Sequence, residues 1–265
     1  KAMLDSGDPT GAAVELAKAL DQKVDANLVV PALARAMLLM GDYKKLTTLY
    51  GEMVLTDKLA QAALKSSVAT AWGAMGDRTK TEASIAAALE AAPGYGPAQI
   101  LSARILAGQR EFDAATVLVD KVLAADPQLY EAWQLKAEIL LFSKNDIPGS
   151  EALFKKALAA EPSYVPAHLA LISSRLRARD IAGAKVQAEL LRAVMPKHPQ
   201  TVFVDAQIAF TDRDLKVARE LTQQLMKVAP NHVGVLQLAG AVEGQAGSLV
   251  LAETYFSKAL QLVPE

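Results

Sequence analysis

The sequence predicts an all-α solenoid of antiparallel helix pairs, because three kinds of residue recur at the same period. Prolines recur every 34 or 35 residues, residues that can begin a helix recur at the same spacing, and small residues recur between them. A period of this length is typical of a two-helix repeat that stacks on copies of itself.

The prolines mark where the second helix of each repeat ends. Proline has no N–H to donate and its ring clashes with the preceding turn, so a helix stops before it. The series is Pro93, Pro127, Pro162, Pro196, Pro230 and Pro264.

Residues that can begin a helix mark the start of each second helix. Apart from Glu111, their side chains can accept hydrogen bonds from the free N–H groups of a first helical turn. The series is Asp8, Asp42, Asp77, Glu111, Asp146, Asp180, Asp214 and Ser248. Glycine, which tolerates the backbone of a tight turn, directly precedes four of them, at Gly7, Gly41, Gly76 and Gly247.

Small residues at a fixed phase predict close contact between helices. The first helices carry Ala34, Ala69, Ala103, Ala137, Ala206 and Gly240, and the second helices carry Ala12, Ala115, Ala184, Ala218 and Ala252. Apolar residues at helical spacing lie between them and predict buried stripes. The pattern departs at Leu46, Thr81 and Ser150, which replace the small residue, and at Lys58, which replaces a proline.

The composition argues against several classes of function. The 28 Lys and Arg residues are balanced by 29 Asp and Glu, so no basic surface for nucleic acid is predicted. The absence of cysteine excludes disulfides, thiolate nucleophiles and Cys-based metal sites. The longest apolar stretch, residues 28–40, is too short to cross a bilayer, so we expect no direct membrane insertion of this segment.

These motifs resemble the tetratricopeptide repeat (TPR) family, whose 34-residue helix–turn–helix has a large apolar residue, two small residues and a closing proline. The last repeat carries this pattern at Leu236, Gly240, Ala252, Phe256 and Pro264. The resemblance implies a right-handed superhelical TPR solenoid over residues 1–265, with about fifteen helices. We predict a truncated repeat, 1–26, and full repeats at 27–61, 62–95, 96–129, 130–164, 165–198, 199–232 and 233–265.

A narrower resemblance suggests a function. Segments 7–20 and 30–43 resemble the TPR-repeat lipoproteins of the PEP-CTERM/exosortase system. This implies a non-catalytic scaffold for bacterial cell-envelope assembly, in exopolysaccharide production and export or in PEP-CTERM protein sorting. It also implies a periplasmic or envelope location, with a lipid anchor on a larger parent protein, of which we expect this chain to be a fragment. A cytoplasmic location is the alternative.

Two other functions were weighed against the scaffold. TPR arrays also serve as regulatory or substrate-recruiting arms of larger enzymes such as glycosyltransferases, in which case the active site lies outside these residues. A co-chaperone that clamps a terminal carboxylate needs paired Asn and Lys or Arg side chains. The chain has only Asn27, Asn145 and Asn231, all at repeat boundaries or turns, which argues against a clamp.

No catalytic, metal or cofactor site is predicted. His168, His198 and His232 have no second His or carboxylate at the helical spacing of a metal site. Segment 240–247 is rich in glycine but lacks the Lys-Ser/Thr of a phosphate-binding loop. We interpret Trp72 and Trp133 as packing residues on first helices.

The TPR resemblance implies a concave groove, lined by the first helices, that holds a protein or peptide partner. The positions that face this groove in the family have a mixed chemistry here, with basic, acidic, amide and aromatic side chains. An ordinary solvated surface is the competing interpretation of each. The candidate partner-binding residues are Arg35, Arg104, Glu131, Gln134, Glu138, Phe203, Gln207 and Phe210.

Overall fold

The computed structural model describes residues 8–196 and 198–263, and within these ranges the regular structure is entirely helical. The predicted all-α fold of TPR helix pairs is confirmed. Gly7 and Pro264 of the predicted series lie outside the described residues. The fifteen helices of the described ranges are α1 (Pro9–Asp21), α2 (Ala26–Leu39), α3 (Tyr43–Tyr50), α4 (Lys58–Ala74), α5 (Arg78–Ala91), α6 (Gly96–Gly108), α7 (Phe112–Ala125), α8 (Tyr130–Lys144), α9 (Ile147–Ala160), α10 (Val165–Arg177), α11 (Ile181–Val194), α12 (Pro199–Thr211), α13 (Leu215–Val228), α14 (Val233–Gln245) and α15 (Leu249–Gln261).

The chain forms two compact units, residues 1–145 (unit 1) and residues 146–265 (unit 2). In unit 1 the first helices α2, α4, α6 and α8 contact one another in sequence, and the second helices α1, α3, α5 and α7 pack beside them. In unit 2 the first helices α10, α12 and α14 do the same, with α9, α11, α13 and α15 as second helices. The division after residue 145 falls within predicted repeat 130–164, so these two units do not test the predicted repeat boundaries.

The turn inside each helix pair has one unusual backbone position, which we call the turn residue. It directly precedes the residue that begins each second helix, and its φ is positive in each of the seven turns within the described ranges. Glycine adopts this left-handed conformation freely, whereas other L-residues pay a steric cost of about 1–2 kcal/mol. The turn residues are Gly41, Gly76, Arg110, Asn145, Arg179, Arg213 and Gly247.

Hydrogen bonds show how one residue closes a helix and opens the next. In the turn at Arg213, the N–H of Arg213 donates to the carbonyl of Phe210 at 3.1 Å and the N–H of Asp214 donates to that of Ala209 at 2.9 Å. This is the Schellman end of a helix. Asp214 then begins α13, because its Oδ1 accepts from the N–H of Val217 at 3.1 Å.

The predicted series of helix-starting residues is confirmed at all eight positions. Each stands at the N-cap of a second helix, from Asp8 before α1 to Ser248 before α15. Asp42, Glu111 and Ser248 make no side-chain hydrogen bond to the first turn. The side chains that do accept one belong to Asp8, Asp77, Asp146, Asp180 and Asp214.

The closing prolines within the described ranges stand two residues beyond the last residue of a second helix. The residue between helix and proline leaves the helical conformation, as the ring of a following proline favours, and it is extended at Ala92, Asp126 and Glu161. Three of the proline carbonyls also accept a hydrogen bond from a side chain six residues later, on the following first helix. The donors are Gln99 Nε2 to Pro93 at 2.7 Å, Trp133 Nε1 to Pro127 at 2.9 Å and His168 Nε2 to Pro162 at 2.9 Å.

The predicted small residues lie at the helix contacts. Ala34, Ala103, Ala137 and Ala218 have no exposed surface, and every other member of the two series is also buried. The cores of each unit form around them, for example the cluster in unit 1 that contains Val119, Leu135 and Ile139.

The first third differs from the predicted repeat boundaries. Helix α3 has only eight residues, and α4 begins at Lys58. The predicted boundary between residues 61 and 62 therefore falls inside α4, and Lys58 starts a first helix rather than closing a repeat. The physical reason is the cap, since Asp57 Oδ1 accepts from the N–H of Ala60 at 2.8 Å and fixes the start of α4.

The turn residues generate a stability prediction. Replacing Arg213 by Gly removes the left-handed strain and should raise the free energy of unfolding by about 0.5–1 kcal/mol, after the greater unfolded-state entropy of glycine is subtracted. Gly76→Ala should lower it by about 1 kcal/mol through backbone strain alone, because a Cβ there meets no atom within 4 Å. Urea denaturation followed by circular dichroism measures both, and equal stabilities for the unsubstituted chain and the two variants would contradict the turn geometry.

A second prediction concerns pH. The N–H of Gly183 and the guanidinium of Arg175 lower the pKa of Asp180 below its ordinary value. A lowered folded-state pKa means that charged Asp180 stabilises the fold fully above about pH 4, and that this contribution is lost as pH falls through the lowered value. The destabilisation caused by Asp180→Ala, measured by urea denaturation, should therefore shrink between pH 5 and pH 3. Ser248→Ala is the control, because serine does not titrate; an Asp180→Ala effect as constant with pH as this control would refute the assignment.

Candidate partner-binding surface

Three of the candidate residues form one hydrogen-bonded network on the first helices of unit 1. Arg104 on α6 donates from Nη1 to Glu138 Oε2 at 3.1 Å, and Gln134 on α8 donates from Nε2 to Glu138 Oε1 at 2.7 Å. Arg104 and Glu138 are separated by 34 residues, so they occupy one phase of successive repeats. Both oxygens of Glu138 are thereby engaged, and we call this set the Glu138 network.

Two further candidates of unit 1 share a neighbourhood around Tyr95. Burial raises the pKa of the Tyr95 hydroxyl, the positive charge of Arg35 opposes this rise, and the negative charge of Glu131 adds to it. Arg35 on α2 and Glu131 on α8 therefore both act on the residue that precedes α6. Tyr95 was not predicted as a site residue, although it stands at the same repeat phase as Leu129 and Tyr164, directly before a first helix.

Two hydrogen-bond acceptors on α8 have no partner within the described residues. Glu131 Oε2 and Gln134 Oε1 are both buried, and they lie one helical turn apart. A buried acceptor that lacks a donor costs about 1–3 kcal/mol. This stretch of α8 therefore has two unsatisfied acceptors beside the Glu138 network.

The three candidates of unit 2 lie on α12, and packing partly occupies them. Phe203 meets the ring of His232 edge-on, with the ring centroids 6.2 Å apart. Phe203 also packs against the cluster that includes Leu225, and Phe210 packs against the cluster that includes Val242. Both rings are half-buried, as is Gln207. As partner-binding residues all three stay a prediction.

A cavity of about 460 Å³ lies beside the Glu138 network in unit 1. We call it the Phe142 pocket, because the ring of Phe142 at its rim is 77% exposed. Phe142 and Arg110 were both missed by the sequence analysis, which considered only the family's groove-facing positions. The pocket is lined mainly by Arg104, Arg110, Phe112, Leu135, Glu138, Ile139 and Phe142.

The histidines make structural contacts. The buried ring of His168 lies between two groups, with Nε2 at 2.9 Å from the Pro162 carbonyl and Nδ1 at 2.6 Å from Gln187 Nε2. His198 and His232 stand at the N-caps of α12 and α14, where Nδ1 accepts a backbone N–H. Within residues 8–196 and 198–263, no three His, Asp or Glu side chains are grouped as a metal ion would require.

Among the helices of the described ranges, not one combines the length and the apolar character that crossing a bilayer demands.

Comparison with known proteins supports the TPR resemblance. Residues 74–139, which extend from the end of α4 into α8, match the family model described as tetratricopeptide repeat. The probable magnetosome protein Mms48 of Magnetospirillum gryphiswaldense is 28% identical over 187 residues. That alignment covers 68% of this chain and 40% of Mms48, so the chain spans less than half the length of this relative.

Solved structures support the same fold. The structure of the APC/C hetero-tetramer Cut9–Hcn1 superposes with a TM-score of 0.73 at 14% identity, over 89% of this chain and 46% of the other. PilW, described as a widely conserved type IV pilus biogenesis factor, superposes with a TM-score of 0.60 at 20% identity, over 80% of this chain and 97% of PilW. At these identities the likeness concerns the fold, which is that of a TPR solenoid.

The contacts of His168 generate a prediction. His168→Leu leaves the Pro162 carbonyl and the Gln187 amide without their partner in the interior, so it should lower the free energy of unfolding by about 1–3 kcal/mol. His168→Gln should cost less, because Gln99 makes the same bond to a proline carbonyl at this repeat phase. Urea denaturation of the two variants tests this; equal losses would show that ring volume, and not the hydrogen bond, is what matters.

Proposed function

We propose that this chain is a non-catalytic scaffold that binds a protein partner on the first-helix surface and serves assembly in the bacterial cell envelope. A TPR fold implies a protein partner. The Glu138 network is the observation that carries the proposal, because it joins residues of two successive first helices beside two buried acceptors that lack a donor.

The network is suited to recognition because its geometry is set before a partner arrives. Glu138 is held by donors from Arg104 and Gln134, so little side-chain freedom is left to lose on binding. Glu131 Oε2 and Gln134 Oε1 have no donor and are buried, so N–H groups from an extended segment or a helix of the partner would reach them only after these side chains turn outward. Polar groups fixed in this way contribute specificity, while neighbouring apolar surface contributes affinity.

The assignment to the envelope draws on two similarities. Mms48 is named as a probable magnetosome protein and PilW as a type IV pilus biogenesis factor, so both names refer to a structure built by bacterial cells. The resemblance of segments 7–20 and 30–43 to PEP-CTERM-system lipoproteins favours exopolysaccharide export or protein sorting as the process. On this proposal the chain acts in the periplasm, as part of a longer protein that carries a lipid anchor.

Site-specific crosslinking in the native cells tests the proposal. A photoreactive amino acid in place of Gln134 leaves the Arg104–Glu138 bond intact, and in the full-length parent protein it should crosslink to an envelope-assembly protein; Arg104→Glu should reduce that yield severalfold by breaking the remaining bond. The control position is Val117, which is 71% exposed on the second helix α7. Crosslinking mass spectrometry identifies the product at each position.

The outcomes separate the possible roles. Crosslinks at position 117 but not at 134 would show that the partner binds elsewhere and would refute the proposed surface. Crosslinks from position 134 to cytosolic proteins would refute the envelope role. Crosslinks from 134 to a catalytic domain of the same polypeptide would favour the alternative, an arm of a larger enzyme such as a glycosyltransferase.

A further inference from the structure

The Phe142 pocket has the chemistry of a specific subsite. We infer that it docks a partner segment in which a large apolar side chain lies within two residues of an Asp or Glu, with Arg110 binding the carboxylate. This inference rests on the proposed partner-binding role and specifies the partner's chemistry.

The pocket offers an apolar surface of suitable size. Its volume of about 460 Å³ lies within the range typical of ligand sites, and the side chains of Phe112, Leu135 and Ile139 supply apolar lining. Phe142 at the rim is 77% exposed, so most of its ring contacts solvent in this structure. An exposed aromatic ring beside an apolar cavity is the arrangement in which a partner's apolar side chain gains most from burial.

Arg110 is held in a conformation that glycine would adopt at lower cost. Its φ is 66°, whereas Gly41, Gly76 and Gly247 occupy the same turn phase in other repeats. A cation at a helix C-terminus gains from the helix dipole, which offsets part of this strain. Arg179 and Arg213 gain the same stabilisation from the helix dipole, so this gain does not set Arg110 apart from them. Arg110 differs because it lines the Phe142 pocket.

The charges around the pocket favour an acidic occupant. Of its charged lining residues, Arg104 already bonds to Glu138, while the guanidinium of Arg110 makes no hydrogen bond or salt bridge within the described part of the chain. A guanidinium can bind a carboxylate through two parallel hydrogen bonds. A cavity in unit 2 provides the contrast, because there Lys185 pairs with Asp212 and Arg192 with Asp205, which leaves those cations engaged.

Selection from a phage-displayed library of random 12-residue peptides, with the immobilised 265-residue chain as bait, tests this inference. Selected peptides should share a large apolar residue within two positions of Asp or Glu. Fluorescence polarisation with a selected peptide should show about tenfold weaker binding to Arg110→Gly and to Phe142→Ala, as expected for loss of one charge-assisted or anchor contact.

Two variants sharpen the test. Arg213→Gly relieves the same backbone strain without touching the pocket, so it should leave the peptide affinity unchanged. Arg110→Glu reverses the local charge, and a new selection on it should enrich Lys or Arg beside the apolar residue. Circular dichroism confirms that each variant is folded.

The opposite results would overturn the inference. These are the absence of any selected motif, or a motif whose affinity is unchanged by Arg110→Gly and Phe142→Ala. Peptides that lose affinity on Glu138→Ala but not on the two pocket substitutions would also reject the pocket while leaving the proposed partner-binding surface intact. The crosslinks at position 134 test the proposed function independently of the peptide experiments.

Discussion

The chain reversal between the two helices of a pair is the constraint on which the rest of the structure depends. A backbone N–H completes the end of one helix while the carbonyl of the same residue begins the next at Asp42, Asp77, Glu111, Asp180, Asp214 and Ser248. The residue four positions later donates to that carbonyl, and it is a buried small residue at Ala12, Ala115, Ala184, Ala218 and Ala252. The turn therefore places the close helix contact at a fixed distance along the chain. Leu46, Thr81 and Ser150 replace the small residue at this position in other repeats, and each still donates its backbone N–H to the carbonyl four residues earlier.

Much of the fold could be predicted because its signals are local and repeated. An acid that caps a helix, a proline that ends one and an alanine at a helix contact each act within a few residues, and the period then multiplies the signal. The prediction was weakest where a local cue was replaced. The turn conformation of Arg110, Arg179 and Arg213 has no residue-type signal, because arginine elsewhere favours ordinary helix. It could have been found only by comparing the phase with Gly41 and Gly76.

The candidate surface was predictable in part. Arg104 and Glu138 were both candidate groove residues, and the structure joins them directly, although their role in partner binding stays a prediction. The sequence could not show that Phe203 and Phe210 pack within unit 2, since that depends on which neighbour each ring contacts. Phe142 and Arg110 were missed because pockets form between helices, and periodicity describes each helix alone. The hydrogen bonds from Trp133 and His168 to proline carbonyls were also missed. Both residues stand at a position of the repeat that the sequence pattern marks only as a packing position.

The two tryptophans of the chain, Trp72 on α4 and Trp133 on α8, both belong to unit 1. Indole emission therefore records the loosening of residues 1–145 alone, while far-ultraviolet dichroism sums the helices of both units. Tryptophan fluorescence is therefore an intrinsic probe of unit 1. Unfolding curves from the two signals coincide only when units 1 and 2 unfold in a single cooperative transition. A difference between the two transition midpoints shows how far unit 2 unfolds independently of unit 1.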